Sequence, residues 1–174
     1  MVFDINGLRT DHDYNHFAFF GAFRCGKSFL MMLISLMLCQ TYAGCNGSIV
    51  RMTYGELADS CIVQYLEAFP PEDYGYQYKT ANREIIFSNK SRLTFRAFDT
   101  DSKIKSNNYD FVVLVQAEEI PESLYLQVIG RLSGQAIPRP VLLTEGNPAD
   151  CHLKDLYIDS TKEFRSKQGI YFIS

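Results

Sequence analysis

The sequence predicts an α/β fold with a largely parallel central β-sheet. Short apolar runs typical of buried strands recur along the 174 residues, and the clearest of them is Phe111–Val115. A longer apolar run, Phe29–Cys39, has the length of a buried helix but is too short to span a bilayer. Strands that alternate with helices indicate a parallel sheet covered by helices, in which ligands bind at the carboxyl ends of the strands.

The elements are predicted in a regular order. Residues 1–15 are polar and weakly patterned, so we expect a short N-terminal arm followed by one domain over residues 16–174. Apolar runs predict strands at 16–20, 48–52, 111–115, 140–144 and 170–173. Helical spacing, with proline near one end of the second and third segments, predicts helices at 27–41, 54–69 and 121–132.

Between the second and third of these strands the pattern of apolar and polar residues changes. Residues 83–88 and 92–98 flank Asn89-Lys90, and the second segment alternates apolar with polar side chains. This pattern predicts a β-hairpin inserted into the α/β unit.

The most specific motif lies between the first strand and the first helix, and it fits the phosphate-binding pattern G-x-x-x-x-G-K-[ST]. Its residues are Gly21, Ala22, Phe23, Arg24, Cys25, Gly26, Lys27 and Ser28, followed by Phe29. Glycines let the backbone N–H groups surround phosphates, Lys27 adds a charge between the β- and γ-phosphates, and the Ser28 hydroxyl can ligate Mg²⁺. The motif and its strand–loop–helix setting predict a P-loop NTPase of the ASCE type that binds a nucleoside triphosphate.

Composition removes several other classes of function. The formal net charge is −3 and the pI is about 5.6, so the chain lacks the overall basic charge of many nucleic-acid-binding domains, although a local basic patch remains possible. The five cysteines form no C-x-x-C pair and the three histidines do not cluster with them. This argues against a zinc site or a disulfide framework, and favours reduced thiols in a cytoplasm.

Two adjacent carboxylates follow the most apolar strand. Glu118 and Glu119 come directly after Gln116-Ala117, where a P-loop hydrolase needs one carboxylate near Mg²⁺ and one group to orient the attacking water. We expect Glu118, with Ser28, to hold the metal, and Glu118, Glu119 and Gln116 to lie at the catalytic centre. The alternative is that the two acids only complement the dipole at the start of the next helix.

In their order and spacing, these motifs resemble the ATPase domain of the large terminase subunits of tailed bacteriophages, which are DNA-packaging motors. The resemblance covers nearly the whole chain, and its landmarks are Gly21–Ser28, Arg51–Thr53, the hairpin around Asn89, Lys103–Ser106, Val112–Ile120, Gly130–Leu132, Thr144–Pro148 and His152-Leu153. It implies ATP hydrolysis with Mg²⁺ that drives double-stranded DNA into procapsids. It further implies action in the cytoplasm of an infected bacterium and transiently at the portal.

The resemblance also assigns residues and partners. Arg24 would sense the γ-phosphate or act as an arginine finger in cis, and Thr144 and Asn147 would couple hydrolysis to movement. The alternative for Arg24 is a solvated arginine in a loop. The alternative for Thr144 and Asn147 is an Asn-Pro turn that ends a strand. The partners implied are a portal protein, a small terminase subunit and further copies in a ring, with a monomer in isolation and no membrane. Contacts to the DNA backbone would come from basic side chains such as Lys103, Lys105, Arg131 and Arg139.

The chain departs from the family pattern at its second acidic motif. The expected Walker B acid falls on Val115 and the expected catalytic glutamate on Gln116. Either Glu118 or Glu119 replaces them, or the protein binds ATP and hydrolyses it poorly, or a position has been altered. We favour the first interpretation, in which Glu118 or Glu119 replaces the missing acids.

Three other interpretations remain open from the sequence. A helicase would need a second motor domain, a small-molecule kinase would need an arginine-rich lid, and a nucleotide-binding module without hydrolysis fits Val115 and Gln116. Large terminase subunits usually continue into a nuclease domain, and we expect none within this chain.

Overall fold

The computed structural model describes residues 15–21, 26–100, 107–147, 150–161 and 170–173. These residues form an α/β unit with eight strands, which confirms the predicted fold class. The strands are β1 (His16–Phe20), β2 (Asn46–Arg51), β3 (Tyr76–Lys79), β4 (Glu84–Phe87), β5 (Arg92–Ala97), β6 (Phe111–Leu114), β7 (Val141–Gly146) and β8 (Ile170–Ile173).

Helices connect the strands much as the sequence predicts. They are α1 (Lys27–Thr41), α2 (Tyr54–Glu56), α3 (Val63–Ala68), α4 (Pro71–Tyr74) and α5 (Glu122–Ile129). The predicted helix at 54–69 is interrupted, because a π-helical segment, Leu57–Ile62, joins α2 to α3. A second π-helical segment, Lys154–Asp159, follows β7 and was not predicted. No helix in the described parts of the chain has the length and apolar character needed to cross a bilayer.

The sheet is parallel where the predicted phosphate-binding loop begins and antiparallel at one edge. Its strand order is β3-β4-β5-β2-β6-β7-β1-β8. Strand β1 lies between β7 and β8 and is parallel to both, and β6 is parallel to β2 and β7. The predicted hairpin is confirmed as β4–β5, which β3 extends as an antiparallel edge. Because β1, β2, β6 and β7 are parallel, their carboxyl ends meet at one edge of the sheet.

Alternating side chains of the strands supply two hydrophobic cores, one on each face of the sheet. In β1, Phe17 and Phe19 belong to the core that contains α1, whereas Ala18 and Phe20 belong to the core on the opposite face. The helix α1 is apolar around most of its surface, since seven of its side chains are buried. This burial fixes the start of α1 against the carboxyl ends of the central strands.

The turn of the β4–β5 hairpin caps the C-terminus of α1. The Asn89 side chain donates from Nδ2 to the carbonyl oxygens of Cys39 (2.8 Å) and Gln40 (3.2 Å). These are among the last carbonyls of the helix, which have no partner within the helix itself. The hairpin is therefore joined to the helix whose other end begins the predicted phosphate site.

Replacing Lys90 with glycine should stabilise the protein. Lys90 is exposed in this turn and has φ of 70°, a left-handed conformation that costs a non-glycine residue about 1–2 kcal/mol. Glycine removes that strain but adds entropy to the unfolded chain, so we expect Lys90→Gly to raise the free energy of unfolding by about 0.5–1 kcal/mol. Urea unfolding measures the difference, and Lys90→Ala, which keeps the strain, should give no gain.

Candidate functional site

A cavity of about 190 Å³ lies at the edge of the sheet where the parallel strands end. It lies beside the start of α1 and the carboxyl ends of β2, β6 and β7. Its lining is mostly polar and consists of Lys27, Ser28, Met32, Arg51, Ser60, Cys61, Gln64, Val115, Gln116, Glu145 and Asn147. This is the position at which parallel sheets bind ligands.

The described part of the phosphate-binding motif starts α1 as the sequence predicts. Gly26 precedes the helix with φ of 83°, a conformation that glycine adopts without strain. Lys27 and Ser28 form the first turn, where unpaired backbone N–H groups and the helix dipole favour an anion. Phe29 is 53% exposed and stacks on Phe69 with ring centroids 5.6 Å apart. Ala22, Phe23, Arg24 and Cys25 lie outside the described residues.

Lys27 connects the phosphate-binding motif to the segment after β7. Its Nζ donates to the carbonyl oxygen of Gly21 (2.8 Å) and lies 3.5 Å from Oδ1 of Asn147. Asn147 in turn donates from Nδ2 to Oε1 of Glu118 at 2.8 Å. The amide of Asn147 thus joins an ammonium on one side to a carboxylate on the other, which fixes its orientation. The structure brings three predicted site residues into one chain of contacts.

Glu118 packs tightly against the end of β7. Its Oε2 is buried, and among the described residues it has no hydrogen-bond partner. A Cβ atom added to Gly146 would lie 2.5 Å from Glu118 Oε2 and 3.0 Å from the Phe20 ring. The Glu118 carboxylate therefore occupies space that a side chain at position 146 would fill.

Glu145 is the acidic residue that faces the phosphate-binding motif, and the sequence analysis did not single it out. Its Oε1 accepts hydrogen bonds from the Ser28 hydroxyl and the Gln116 backbone N–H, each at 3.2 Å. The residue is only 3% exposed. Burial raises the pKa of its carboxyl, while the hydrogen bonds from Gln116 and Ser28 and the nearby Lys27 charge act in the opposite direction.

Gln116 contributes its backbone to the site. It has φ of 51° and ψ of 53°, a left-handed conformation that directs its N–H toward Glu145 as the chain leaves β6. Non-glycine residues in this region cost about 1–3 kcal/mol, and such strain is concentrated at functional sites. Val115 precedes it, is buried, and lines the cavity with an apolar side chain.

Two predicted site residues neither line the cavity nor belong to the chain of contacts from Lys27 to Glu118. Glu119 is exposed, and partial burial together with the Glu56 carboxylate raises the pKa of its carboxyl. Thr144 is fully buried on the opposite face of the sheet, beside the hydroxyls of Tyr125 and Tyr157. Any coupling role of Thr144 would therefore act through the strand and not by direct contact with phosphate.

Arg51 is a second cation of the cavity, and the sequence analysis gave it no role in the site. It ends β2, is 7% exposed, and donates from its guanidinium to Ser60 Oγ at 2.7 Å. Its Nε lies 3.5 Å from Glu56 Oε2. Only the position of Arg51 at the end of a strand signals this placement, because strand ends meet at the ligand edge.

The oxygen atoms around Ser28 fit a magnesium ion that accompanies a bound triphosphate. Mg²⁺ prefers oxygen ligands and usually takes one or two carboxylates together with substrate phosphates and water. Of the two acids, Glu145 contacts Ser28, whereas Glu118, which we expect from the sequence to share the metal with Ser28, contacts Asn147. The described residues contain no cluster of three or more His, Cys, Asp or Glu side chains that could hold a metal by itself.

The described residues have the α/β fold of a P-loop NTPase domain, and this fold is similar to that of phage large terminases. With the large terminase of a thermophilic bacteriophage, the TM-score is 0.72 at 20% identity, over 94% of this chain and 40% of that chain. With the large terminase of bacteriophage HK97, the TM-score is 0.73 at 13% identity, over 91% of this chain and 35% of that terminase. With the ATPase domain of the Thermus phage P74-26 large terminase, the TM-score is 0.71 at 16% identity, over 95% of this chain and 76% of that domain's chain.

These similarities confirm, at the level of fold, the resemblance to large terminase ATPase domains. The terminase of the thermophilic bacteriophage has also been solved with ADP and with ATP-γ-S, with TM-scores of 0.63 and 0.67 to this chain. The chain spans about 40% of the length of that terminase. No protein-family profile and no curated protein sequence matches the chain.

Proposed function

We propose that this chain is the ATP-hydrolysing motor domain of a large terminase subunit, which drives double-stranded DNA into procapsids. The observation that carries the proposal is the chain of contacts from Lys27 through Asn147 to Glu118. It joins two residues that line the cavity, a phosphate-binding lysine and the asparagine of the segment proposed to couple hydrolysis to movement, to a carboxylate that lies beside the cavity. The similarity of the whole fold to terminase ATPase domains supports the same conclusion.

The residues divide the chemistry among them. When ATP binds, Lys27 exchanges its contacts with Gly21 and Asn147 for phosphate oxygens, and Ser28 contributes a hydroxyl ligand to Mg²⁺. A Mg²⁺ ion held there would supply positive charge to offset the charge that develops on the phosphates. Glu118 orients the attacking water and accepts its proton. We further propose that Arg24, which lies outside the described residues, approaches the γ-phosphate.

Asn147 is proposed as the residue that reports the state of the nucleotide. It contacts both Lys27 and Glu118, so loss of the γ-phosphate changes the partners on both sides of its amide. Asn147 directly follows β7, whose opposite face contacts Tyr125 and Tyr157 through Thr144. A shift of this strand end would therefore reach the helices on the far side of the sheet.

Partners follow from the terminase interpretation. We propose a ring of subunits on a portal protein, working with a small terminase subunit in the cytoplasm of the bacterial host. DNA contacts would be electrostatic and independent of sequence. Of the basic side chains considered, Arg139 is exposed and Arg131 is partly exposed, whereas Lys103 and Lys105 lie outside the described residues.

A second candidate is a nucleotide-binding module without hydrolysis. The observation that favours it is the apolar Val115 at the end of β6, where hydrolases of this class carry an acid. The two functions differ in turnover and not in binding.

The deciding experiment measures ATP binding and turnover on this chain, with and without double-stranded DNA of unrelated sequences. We expect micromolar binding, measurable turnover that DNA of any sequence stimulates, and loss of stimulation at high salt. Lys27→Ala is the matched control and should abolish both binding and turnover. Equal ATP binding by Lys27→Ala and the unmodified protein would exclude the proposed site. Tight binding without turnover under every condition would favour the module.

A further inference from the structure

We infer that Glu145 supplies the carboxylate that holds the nucleotide's metal ion, in place of the acid missing from the end of β6. This inference rests on the proposed function and assigns a metal-binding residue to it. It concerns the Ser28 side of the cavity, whereas the Glu118–Asn147 pair lies on the Lys27 side.

The register of the sheet places Glu145 at the level where the acid was expected. Leu114 of β6 pairs with Thr144 of β7, so Val115 and Glu145 are the next residues on neighbouring parallel strands. On its other side, Glu145 pairs with Phe19 of β1, the strand that leads into the phosphate-binding motif. Residues in register point to the same face of a sheet, and for Glu145 that is the face covered by α1.

Two donors hold the Glu145 carboxylate in a single orientation. The Ser28 hydroxyl and the Gln116 N–H both donate to Oε1 at 3.2 Å. A carboxylate this close to Ser28 can share a cation with the serine oxygen, either directly or through a bound water. The left-handed backbone at Gln116 turns its N–H toward this carboxylate, so the strain serves to position Glu145.

The negative charge of the buried Glu145 carboxylate is only partly compensated by its hydrogen bonds. At 3% exposure, an ionised carboxylate loses most of its hydration, and hydrogen bonds from one neutral hydroxyl and one amide compensate only in part. The nearby charge of Lys27 lowers the pKa of this carboxyl, and the Lys27 ammonium donates to Gly21 and Asn147. A divalent cation at Ser28 would complete the charge balance of this buried group.

The test compares nucleotide binding with and without the metal ion. A fluorescent, slowly hydrolysed ATP analogue is titrated in EDTA and in Mg²⁺ against the unmodified chain, Glu145→Gln, Glu145→Asp and the exposed control Glu67→Gln. Mn²⁺ binding in the presence of the analogue is followed by electron paramagnetic resonance. Circular dichroism verifies that each variant folds, and Glu145→Gln keeps the size and the acceptor oxygen of the native side chain.

We expect opposite changes under the two conditions. Glu145→Gln should bind the analogue more tightly in EDTA, because a negative charge near the phosphates is removed. The factor by which Mg²⁺ raises the affinity for the analogue should be about tenfold smaller in this variant than in the unmodified chain. For Glu145→Asp, the effect of Mg²⁺ on the affinity should lie between those for the unmodified chain and Glu145→Gln. Mn²⁺ should bind more weakly to both variants than to the unmodified chain. An unchanged ratio of the two affinities, or equal weakening in EDTA and Mg²⁺, would overturn the inference in favour of a structural role.

The proposed function fails in a different way. If Lys27→Ala binds the analogue as tightly as the unmodified chain does, the phosphate site is elsewhere, whatever Glu145→Gln shows. If the unmodified chain binds no analogue under either condition, both the proposed function and the inference are wrong.

Discussion

Glu118→Gln should lower ATP turnover by about 10²- to 10⁴-fold while leaving the affinity for nucleotide within a few-fold of its original value. Removing a general base typically has an effect of this size on rate. Binding is retained because Glu118 contacts Asn147 and does not line the cavity that contains Lys27 and Ser28. The glutamine also keeps an oxygen that can accept the Asn147 hydrogen bond. Steady-state turnover and analogue binding measure the two effects separately.

Gly146→Ala provides a second variant for the same question without changing any carboxylate. The new methyl group would lie 2.5 Å from Glu118 Oε2, so the carboxylate that accepts the Asn147 hydrogen bond must shift. A displacement of about 1 Å in a catalytic group can cost about 10²-fold in rate. We expect a loss of turnover in the same direction as for Glu118→Gln. Glu122→Gln, which removes an exposed acid at the start of α5, serves as the control.

The result that would contradict this assignment is specific. If Glu118→Gln and Glu119→Gln both turn over ATP at the original rate, neither acid replaces the one missing after β6. Hydrolysis would then depend on a group outside this pair.

Asp110→Ala should destabilise the fold by about 3–5 kcal/mol, although Asp110 lies at the opposite end of β6 from the cavity. Its buried carboxylate accepts hydrogen bonds from the backbone N–H groups of Asn46 (2.8 Å) and Ala136 (2.7 Å), with Ile137 at 3.4 Å. Each buried donor left without a partner costs about 1–3 kcal/mol. Asp110 thereby joins the starts of β2 and β6 to the loop that precedes β7.

Urea unfolding monitored by circular dichroism measures this loss. Asp110→Asn keeps one acceptor oxygen and should give a smaller loss than alanine does. The exposed control Glu67→Ala should change the free energy of unfolding by less than about 0.5 kcal/mol. A loss for Asp110→Ala no larger than that of the control would show that the carboxylate does not support the loop.

The parts of the fold that depend on local signals were predicted closely. Strand β1 and helix α1 have the predicted limits, because each is a continuous apolar run, and a glycine in left-handed conformation directly precedes the helix. Strand β3 was missed because it is a short edge strand in which only Tyr76 is buried. The helix predicted at 54–69 is divided by a π-helical segment, which apolar spacing alone does not reveal.

The candidate site was predicted only in part, for a similar reason. The positions of Lys27, Ser28 and Asn147 follow from motifs, and the structure brings them into one cavity. The contact of Glu145 with Ser28 depends on how β6, β7 and β1 align in the sheet, and this register is not encoded in any short segment. Glu118 directly follows the apolar run of β6 in the chain and is therefore visible as a candidate from the sequence, whereas Glu145 becomes one only through the register of the sheet.

The alignment of β6 with β7 also bears on how such sites can change during evolution. Positions 115 and 145 are distant in the chain but follow paired residues on adjacent strands, so their backbones are separated by about 5 Å. If Glu145 holds the metal ion as we infer, a carboxylate at either position would reach the same cation, and that cation would offset the repulsion between acids at both. Comparison of local motifs would then detect the loss of an acid, whereas comparison of structures would detect its replacement from the neighbouring strand.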